Sequence, residues 1–256
     1  MDLKVPPVVR RAAIGALDLL LPPRALDERA PGAHAVQWRG LTPDAWARIA
    51  FIEAPFCDGC GLPFDYDLGA LARCAQCLDA PPAFDRARAA CLYDNHSRDL
   101  ILKLKHADRT DLSGLFARWV ARAAADLLPA IDGVAPVPLH PWRLLKRRYN
   151  QAAEIARPLA RTAGVAYLPD ALVRRRGTPS QAGKSADGRR LNVEGVFDVA
   201  PAWRDRVRGR RLLLVDDVLT TGATAESCAR ALKAAGAASV DVAVVARVKQ
   251  LTRASI

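Results

Sequence analysis

The sequence has no long apolar run. Within its 256 residues, no stretch approaches the roughly 18 uninterrupted apolar residues of a membrane-spanning helix. The nearest candidate, Ala12–Leu21, follows a basic start as a signal peptide would, but Asp18 interrupts it and Pro22-Pro23 end it. We therefore interpret it as an amphipathic helix and expect a cytoplasmic protein without membrane insertion.

Cysteines are also few, and six in this length exclude a disulfide-rich scaffold. Four of them form two C-x-x-C pairs separated by thirteen residues: Cys57, Cys60, Cys74 and Cys77. Two short chelating pairs joined by a loop are typical of a tetrahedral structural zinc site of the ribbon or knuckle kind. A redox-active dithiol is the alternative. Cys91 and Cys228 have no such neighbours, and we expect them to pack as small apolar residues.

Acidic residues are outnumbered, 27 to 38, which gives a formal net charge of +11. Residues 139–211 hold 17 Lys or Arg and 6 Asp or Glu, so their excess equals that of the whole chain. If these side chains converge in space, they form a surface that attracts polyanions. The alternative is an Arg-rich composition that places arginine at any solvated position. Trp142, beside the basic run, is a lesser candidate for stacking on nucleic-acid bases.

The chain divides into three stretches by pattern. We predict an N-terminal helix and irregular segment over residues 1–50, a Cys-, Gly- and Pro-rich metal module over 51–90, and alternating helices and short strands over 91–256. Predicted helices are Leu112–Leu128, Asn150–Thr162 and Ala223–Ala235, the second kinked or split at Pro158. Predicted strands are Gly133–Leu139, Asp170–Arg174, Gly195–Val199, Leu212–Val215 and Ser239–Ala246. Strand, helix and strand in succession at the end indicate an α/β fold with a parallel sheet.

The most specific motif is Leu212–Thr224. An apolar strand ends in two adjacent carboxylates, Asp216 and Asp217, and a Thr-Thr-Gly-Ala loop then opens a helix. Parallel sheets bind ligands at this edge, and helix N-terminal N–H groups with threonine hydroxyls suit a phosphate monoester. No lysine follows Gly222, so the loop is not the G-x-x-x-x-G-K-[ST] nucleotide loop. An ordinary strand–loop–helix would not need two successive aspartates at a buried edge.

The segment Val215–Thr224 resembles the motif by which type I phosphoribosyltransferases bind 5-phosphoribosyl-1-pyrophosphate (PRPP). Further segments are similar to signatures of the ComF family of competence-associated proteins, over about residues 51–247: Val137–Pro141, Arg143, Arg148–Ala152, Arg174–Gln181, Arg189–Asn192 and Gly195–Phe197. The resemblance implies a type I phosphoribosyltransferase-like parallel sheet flanked by helices, with a small N-terminal zinc module. ComF proteins often carry further cysteines upstream, whereas Ala25–Phe56 contains none.

The resemblance also implies residue roles. Asp216 and Asp217 would hold the ribose hydroxyls directly or through Mg²⁺, and with Arg189 they are the candidate catalytic residues. The remaining candidate substrate-binding residues are Val215, Val218, Leu219, Thr220, Thr221, Gly222, Ala223 and Thr224 around the 5-phosphate, Pro138, Leu139, Arg143, Arg148 and Lys103 around the diphosphate, and Thr178 and Gln181 in a mobile loop. Lys105 is an alternative to Lys103.

Two function classes remain open from the sequence. One is a Mg²⁺- and PRPP-dependent transferase with an unidentified acceptor, which the resemblance associates with DNA uptake in natural transformation and with other competence proteins. The other is a non-catalytic module that binds single-stranded DNA on the same fold. Nucleobase salvage is a third interpretation, disfavoured because a cysteine module is unusual in salvage enzymes. No base-binding hood is recognisable, and we expect the cysteine module to take its place.

Overall fold

The structure is a computed structural model that describes residues 40–106, 111–139, 149–174 and 196–249. It divides into two compact units, residues 1–49 and residues 50–256. In the first unit a short helix, α1 (Pro43–Ala47), starts at Thr42, whose hydroxyl accepts a hydrogen bond from the Ala45 N–H at 3.2 Å. All later paragraphs concern the second unit.

A five-stranded parallel sheet forms the centre of the second unit's described part, in the order β1-β7-β6-β2-β3. Its strands are β1 (Ala87–Leu92), β2 (Gly133–Pro136), β3 (Ala166–Tyr167), β6 (Arg211–Leu219) and β7 (Ser239–Arg247). A separate antiparallel pair consists of β4 (Leu172–Arg174) and β5 (Phe197–Val199). Because the five strands are parallel, all their carboxyl ends lie at one edge.

Helices cover both faces of this sheet. The helices in the described part of this unit are α2 (Ala75–Asp79), α3 (Asn95–His106), α4 (Leu112–Ala123), α5 (Gln151–Ala163), α6 (Arg204–Val207) and α7 (Ala223–Ala234), with single 3₁₀ turns at Leu128–Ala130 and Pro201–Trp203. Helices α4 and α5 pack on each other, α4 against β1 and β7 and α5 against β2 and β6, whereas α7 packs against β6, β7 and the β4–β5 pair. The predicted α/β class, with a parallel sheet flanked by helices, is confirmed.

Strand β6 is buried on both sides because apolar residues occupy successive positions. Leu212 and Leu214 belong to the core cluster under α7, while Leu213 and Val215 point to the opposite face and are equally buried. This continuous apolar run places β6 in the middle of the sheet. It thereby fixes the position of the polar residues that follow.

Most predicted elements exist with small boundary shifts, and two differ in substance. Helix α5 runs through Pro158 as one element, so of the two predicted alternatives the split is wrong, and the kink stays a prediction. Ile155 and Leu159 are fully buried on either side of the proline, and this packing outweighs the backbone hydrogen bond that proline cannot donate. Strand β6 continues four residues beyond its predicted end at Val215, since Asp216 and Val218 still pair with β7.

Arg88 in β1 connects the cysteine segment to the sheet. Its buried guanidinium pairs with Asp58 at 3.0 Å and with Asp126 at 2.9 Å, and it also donates to the Asp58 carbonyl at 2.9 Å. The guanidinium carbon lies 4.8 Å from the centre of the Phe56 ring. A buried cation with this many partners holds the cysteine segment against β1.

Candidate functional site

The Leu212–Thr224 motif forms a strand, a tight loop and a helix at the carboxyl edge of the sheet. Leu219 ends β6, Thr220 and Thr221 are exposed, and Gly222 adopts the left-handed conformation with φ of +83° directly before α7. A residue with a side chain adopts this conformation at a cost of about 1–2 kcal/mol, which explains the glycine. The turn presents threonine hydroxyls and the start of a twelve-residue helix, which together suit a phosphate group.

The two aspartates of the motif point to opposite faces of β6. Asp216 lies on the same face of β6 as Leu212 and Leu214, toward α7. Burial raises the pKa of the Cys228 thiol in α7, and the charge of Asp216 raises it further. Burial, reinforced by the charge of Asp217, raises the pKa of Asp216 to about 8, although the Asp217 N–H donates to its Oδ1 at 2.8 Å. Asp216 is therefore largely protonated at neutral pH.

Asp217 forms an ion pair with Lys105 of α3, with 2.9 Å between Nζ and Oδ2. Both side chains are largely buried, 17% and 14% exposed respectively. Lys105 therefore places a cation beside Asp217, on the face of β6 opposite to α7. Lys103 was the predicted candidate and Lys105 its alternative, and the structure places Lys105 beside Asp217. A role of the half-buried Lys103 in substrate binding stays a prediction.

Pro138 and Leu139 follow β2 at the same edge, next to β6. The Val137 N–H donates to the Val215 carbonyl at 2.9 Å, which extends the pairing of β2 and β6. Asn150 caps α5 and donates through Nδ2 to the Val137 carbonyl at 3.0 Å. The neighbouring Tyr149 hydroxyl donates to the Leu104 carbonyl of α3. The Tyr-Asn pair thus ties α3, which carries Lys105, to the segment after β2.

The four cysteines of the C-x-x-C pairs form one cluster, with all sulfur atoms within 4.8 Å of one another. The Cys60 and Cys74 sulfurs are 3.8 Å apart, the separation expected of thiolates bound about 2.3 Å from a tetrahedral zinc ion. Backbone N–H groups of Cys60 and Cys74 point at the Cys57 sulfur at 3.5 and 3.2 Å. The Cys60 thiol hydrogen bond and these N–H groups lower the pKa of Cys57 to about 4 despite its burial. The donors and geometry fit a bound metal ion such as zinc.

A shallow cleft with an enclosed volume of about 40 Å³, otherwise open to solvent, separates the cysteine cluster from the threonine loop. Its lining includes Cys60, Cys77, Phe84, Glu226, Arg247 and Thr220–Gly222. Arg247 ends β7 beside Leu219, is 5% exposed and donates to the Cys60 carbonyl. The cysteine segment therefore forms one wall of the space above the candidate phosphate loop.

Several predicted residues lie outside the described residues: Arg143, Arg148, Thr178, Gln181 and Arg189. Within the described part, Val215–Thr224, Pro138, Leu139 and Lys105 lie at one edge of the sheet. Sequence reasoning missed Arg247, and nothing local signals its contact with Cys60, 187 residues away. The contacts by which Tyr149 and Asn150 tie α3 to the segment after β2 were not predicted either.

None of the helices in the described ranges has both the length and the apolar character needed to cross a membrane.

Known proteins similar to this chain were found by sequence and by structure. The phosphoribosyl transferase domain family matches residues 150–255. DNA utilization protein YhgH of Escherichia coli O157:H7 is 32% identical over 203 residues, which cover 77% of this chain and 86% of that protein. Competence protein F of Haemophilus influenzae is 30% identical over 198 residues, covering 75% of this chain and 85% of that protein.

Among solved structures, glutamine PRPP amidotransferase from B. subtilis has a TM-score of 0.38 and 21% identity; the match covers 56% of this chain and 30% of that one. Adenine phosphoribosyltransferase from Thermoanaerobacter pseudethanolicus has a TM-score of 0.34 at 18% identity, covering 58% of this chain and 84% of that one.

Proposed function

Since the chain belongs to the ComF family, which includes competence protein F and the YhgH proteins, and has the type I phosphoribosyltransferase-like fold, we propose that it binds PRPP with Mg²⁺ and acts in DNA uptake. The observation that carries the PRPP proposal is the loop Thr220–Gly222 between β6 and α7. Its left-handed glycine, exposed threonines and helix start lie at the carboxyl edge of a parallel sheet, beside two carboxylates.

In this proposal, different described residues bind different parts of PRPP. Thr220, Thr221 and the first N–H groups of α7 bind the 5-phosphate, while Asp216 and Asp217 accept hydrogen bonds from the vicinal ribose hydroxyls. Mg²⁺, held by the diphosphate together with carboxylate oxygens, would neutralise charge on the leaving group. Lys105 adds a cation on the Asp217 side.

We extend the proposal to catalysis of phosphoribosyl transfer. Pyrophosphate leaves C1 of the ribose, a nucleophilic atom of the acceptor forms the new bond, and the reaction needs charge stabilisation more than acid–base groups. Pro138 and Leu139 lie where the diphosphate would extend, and Arg143, Arg148 and Arg189 are the proposed cations outside the described residues. The solvent-open cleft beneath the cysteine cluster is the side from which an acceptor would approach.

The cysteine cluster serves as a structural zinc site in this proposal, because it closes the cleft and shares Arg247 with the end of β7. Because the C-x-x-C pairs serve as metal ligands rather than disulfides in this proposal, we place the protein in a reducing, cytoplasmic setting. We also propose that a zinc module precedes the transferase domain; the predicted boundary near residue 90 falls within β1 (Ala87–Leu92), so a division between the two would lie before Ala87.

Calorimetric titration of Mg–PRPP into the zinc-loaded chain tests the pocket. We expect the Asp216→Asn/Asp217→Asn variant to lose binding. The variant Asp99→Asn/Asp170→Asn removes two exposed carboxylates elsewhere and should bind as the unmodified chain does. Equal binding by all three proteins would refute the assignment of the site.

Two further measurements test catalysis and the role in DNA uptake. Pyrophosphate release, followed with pools of nitrogenous bases and nucleotides as acceptors, tests transfer; binding without release from any pool would favour the non-catalytic alternative. Complementation of a Haemophilus influenzae strain lacking competence protein F tests the role in DNA uptake. The unmodified chain should restore transformation and the double aspartate variant should not.

A further inference from the structure

Arg247, the last residue of β7, is a buried cation without a carboxylate partner. It is 5% exposed, and in the described part of the chain no Asp or Glu side chain pairs with it. One terminal nitrogen donates to the Cys60 carbonyl, whereas the buried Nε has no hydrogen-bond partner among the described residues. A guanidinium removed from water needs a nearby anion, because solvent no longer compensates its charge.

Arg88 shows how the same fold compensates a comparable cation. It is 4% exposed and pairs with Asp58 at 3.0 Å and Asp126 at 2.9 Å. Both arginines also donate to a carbonyl of the cysteine segment, Arg88 to that of Asp58 and Arg247 to that of Cys60. Arg247 therefore lies in a similar position but lacks the anions that Arg88 has.

The cysteine cluster supplies one anion beside Arg247. Four thiolates outweigh the two positive charges of a zinc ion, so the metal-loaded cluster is negatively charged. The hydrogen bond with Cys57 and burial raise the pKa of the Cys60 thiol, while the charge of Arg247 and a hydrogen bond from it act in the opposite direction. The guanidinium thus stabilises the thiolate form of a metal ligand.

The threonine loop (Thr220–Gly222) offers a place for a second anion. Arg247 pairs with Leu219, directly before the loop, and both Arg247 and the loop line the cleft of about 40 Å³. This enclosed space is little larger than the roughly 30 Å³ share of one water molecule, so it suits a small group such as phosphate. Glu226, the carboxylate in the lining, is already paired with Arg230 at 3.3 Å.

We propose that Arg247 binds the phosphate held by the threonine loop and at the same time neutralises part of the charge of the metal-bound thiolates. The inference rests on the proposed phosphate site and adds a residue and a link to it. Without this cation, the negatively charged cluster would repel a phosphate across the narrow cleft. Arg247 therefore makes the metal cluster compatible with an anionic ligand beneath it.

Calorimetric titration of ribose 5-phosphate, without Mg²⁺, into the zinc-loaded chain tests the phosphate contact. Arg247→Gln keeps a hydrogen-bond donor for the Cys60 carbonyl but removes the charge, so we expect binding to weaken about tenfold or more. Arg247→Lys restores the charge and should recover part of the affinity. The loss in Arg247→Gln should persist at about 0.5 M salt, because buried charges are screened little.

The matched control is Arg88→Gln, which changes an equally buried arginine that also donates to the cysteine segment. The variants are compared at equal zinc content, and far-UV circular dichroism verifies that each retains the fold. We expect Arg88→Gln to bind ribose 5-phosphate clearly more tightly than Arg247→Gln does. An equal loss in both variants would show that Arg247 only holds the segment in place, and it would overturn the inference.

Cobalt(II) in place of zinc gives an optical readout of the charge beside the sulfur atoms. Phosphate bound to Arg247 reduces the positive charge that the thiolates experience, so the thiolate-to-cobalt charge-transfer band should move to longer wavelength. Saturating ribose 5-phosphate should produce this shift in the unmodified chain and not in Arg247→Gln. A band that stays in place while the ligand binds the unmodified chain would refute the link between phosphate and thiolates.

Titration of Mg–PRPP into the same proteins keeps this inference apart from the PRPP proposal. Equal affinities of the unmodified chain and Arg247→Gln for both ligands would refute the role of Arg247 and leave the PRPP site standing. Binding of ribose 5-phosphate that depends on Arg247, without binding of Mg–PRPP, would support Arg247 and refute the PRPP proposal. Binding of neither ligand to the unmodified chain would overturn both.

Discussion

Asp216 should release a proton when the protein binds Mg–PRPP. Burial and the Asp217 charge raise its pKa to about 8, so at pH 7 about nine-tenths of the molecules carry it protonated. Hydrogen bonding to ribose hydroxyls and proximity to Mg²⁺ favour the carboxylate. Binding at pH 7 should therefore release about 0.9 proton from this site.

The affinity should follow the same ionisation. Below pH 8 the affinity should rise by up to about tenfold for each pH unit, after correction for the ligand's own protonation, and it should level off above pH 8. Asp216→Asn removes the titrating group, so its affinity should not show this rise. Asp170→Asn, an exposed change, should keep it.

Calorimetry in buffers of different ionisation enthalpy counts the released protons. The decisive quantity is the difference in proton release between the unmodified chain and Asp216→Asn at pH 7. A difference near zero would show that the Asp216 carboxyl is already ionised in the free protein or takes no part in binding. Either outcome contradicts the role given to it here.

The raised pKa of Asp216 also determines the direction in which the stability of the protein changes with pH. The native state holds the Asp216 proton between about pH 4 and pH 8 and the unfolded state does not, so stability from this group falls as the pH rises through that window. Urea unfolding at about pH 5 and pH 8 should show this loss in the unmodified chain and a smaller loss in Asp216→Asn.

Three further predictions follow from the ion pairs and the cysteine cluster. Lys105→Met should weaken Mg–PRPP binding about tenfold or more in calorimetry, with Lys105→Arg recovering part of it, because the cation beside Asp217 is lost; an unchanged affinity would remove Lys105 from the site. Chelation of the metal, or Cys74→Ser, should lower the melting temperature by about 5 °C or more and weaken PRPP binding. The control Cys228→Ala should leave the metal content unchanged. Full PRPP affinity after loss of the metal would contradict a cleft shared by the cysteine cluster and the threonine loop. Arg88→Met should lower the unfolding free energy by about 2–3 kcal/mol in urea titrations. Asp58 loses its buried partner, whereas Asp126 is 47% exposed and keeps Arg86 at 3.9 Å. A loss below about 1 kcal/mol would show that water replaces the guanidinium.

The parts of the site that the sequence predicts are those encoded locally. The residues of the strand–loop–helix at 212–224 are contiguous, so apolar run, carboxylates, glycine and helix appear in reading order. The two C-x-x-C pairs are equally compact, and their sulfurs do converge. The local sequence pattern was sufficient to predict the threonine loop and the cysteine cluster, because the residues of each lie close together along the chain.

The remaining parts depend on contacts between distant segments. Lys103 and Lys105 are equivalent in the sequence, and only the packing of α3 decides which one meets Asp217. Arg247 looks like the ordinary end of a strand until β7 places it against the Cys60 carbonyl. A cavity beside the amino ends of β2, β3 and β6, lined by Trp203 and Tyr167, requires three strands and the segment before β6, so no single stretch of sequence indicates it.

Strand β1 has a consequence for attempts to divide the chain. It covers the outer side of β7 along Ala87–Leu92, and β7 is buried over nearly all of its nine residues. A fragment beginning at residue 91 would lose most of this cover and display the backbone groups of a long apolar strand. Such an edge recruits strands from other molecules. We therefore expect a shortened protein of that kind to aggregate, even with every residue of the threonine loop intact.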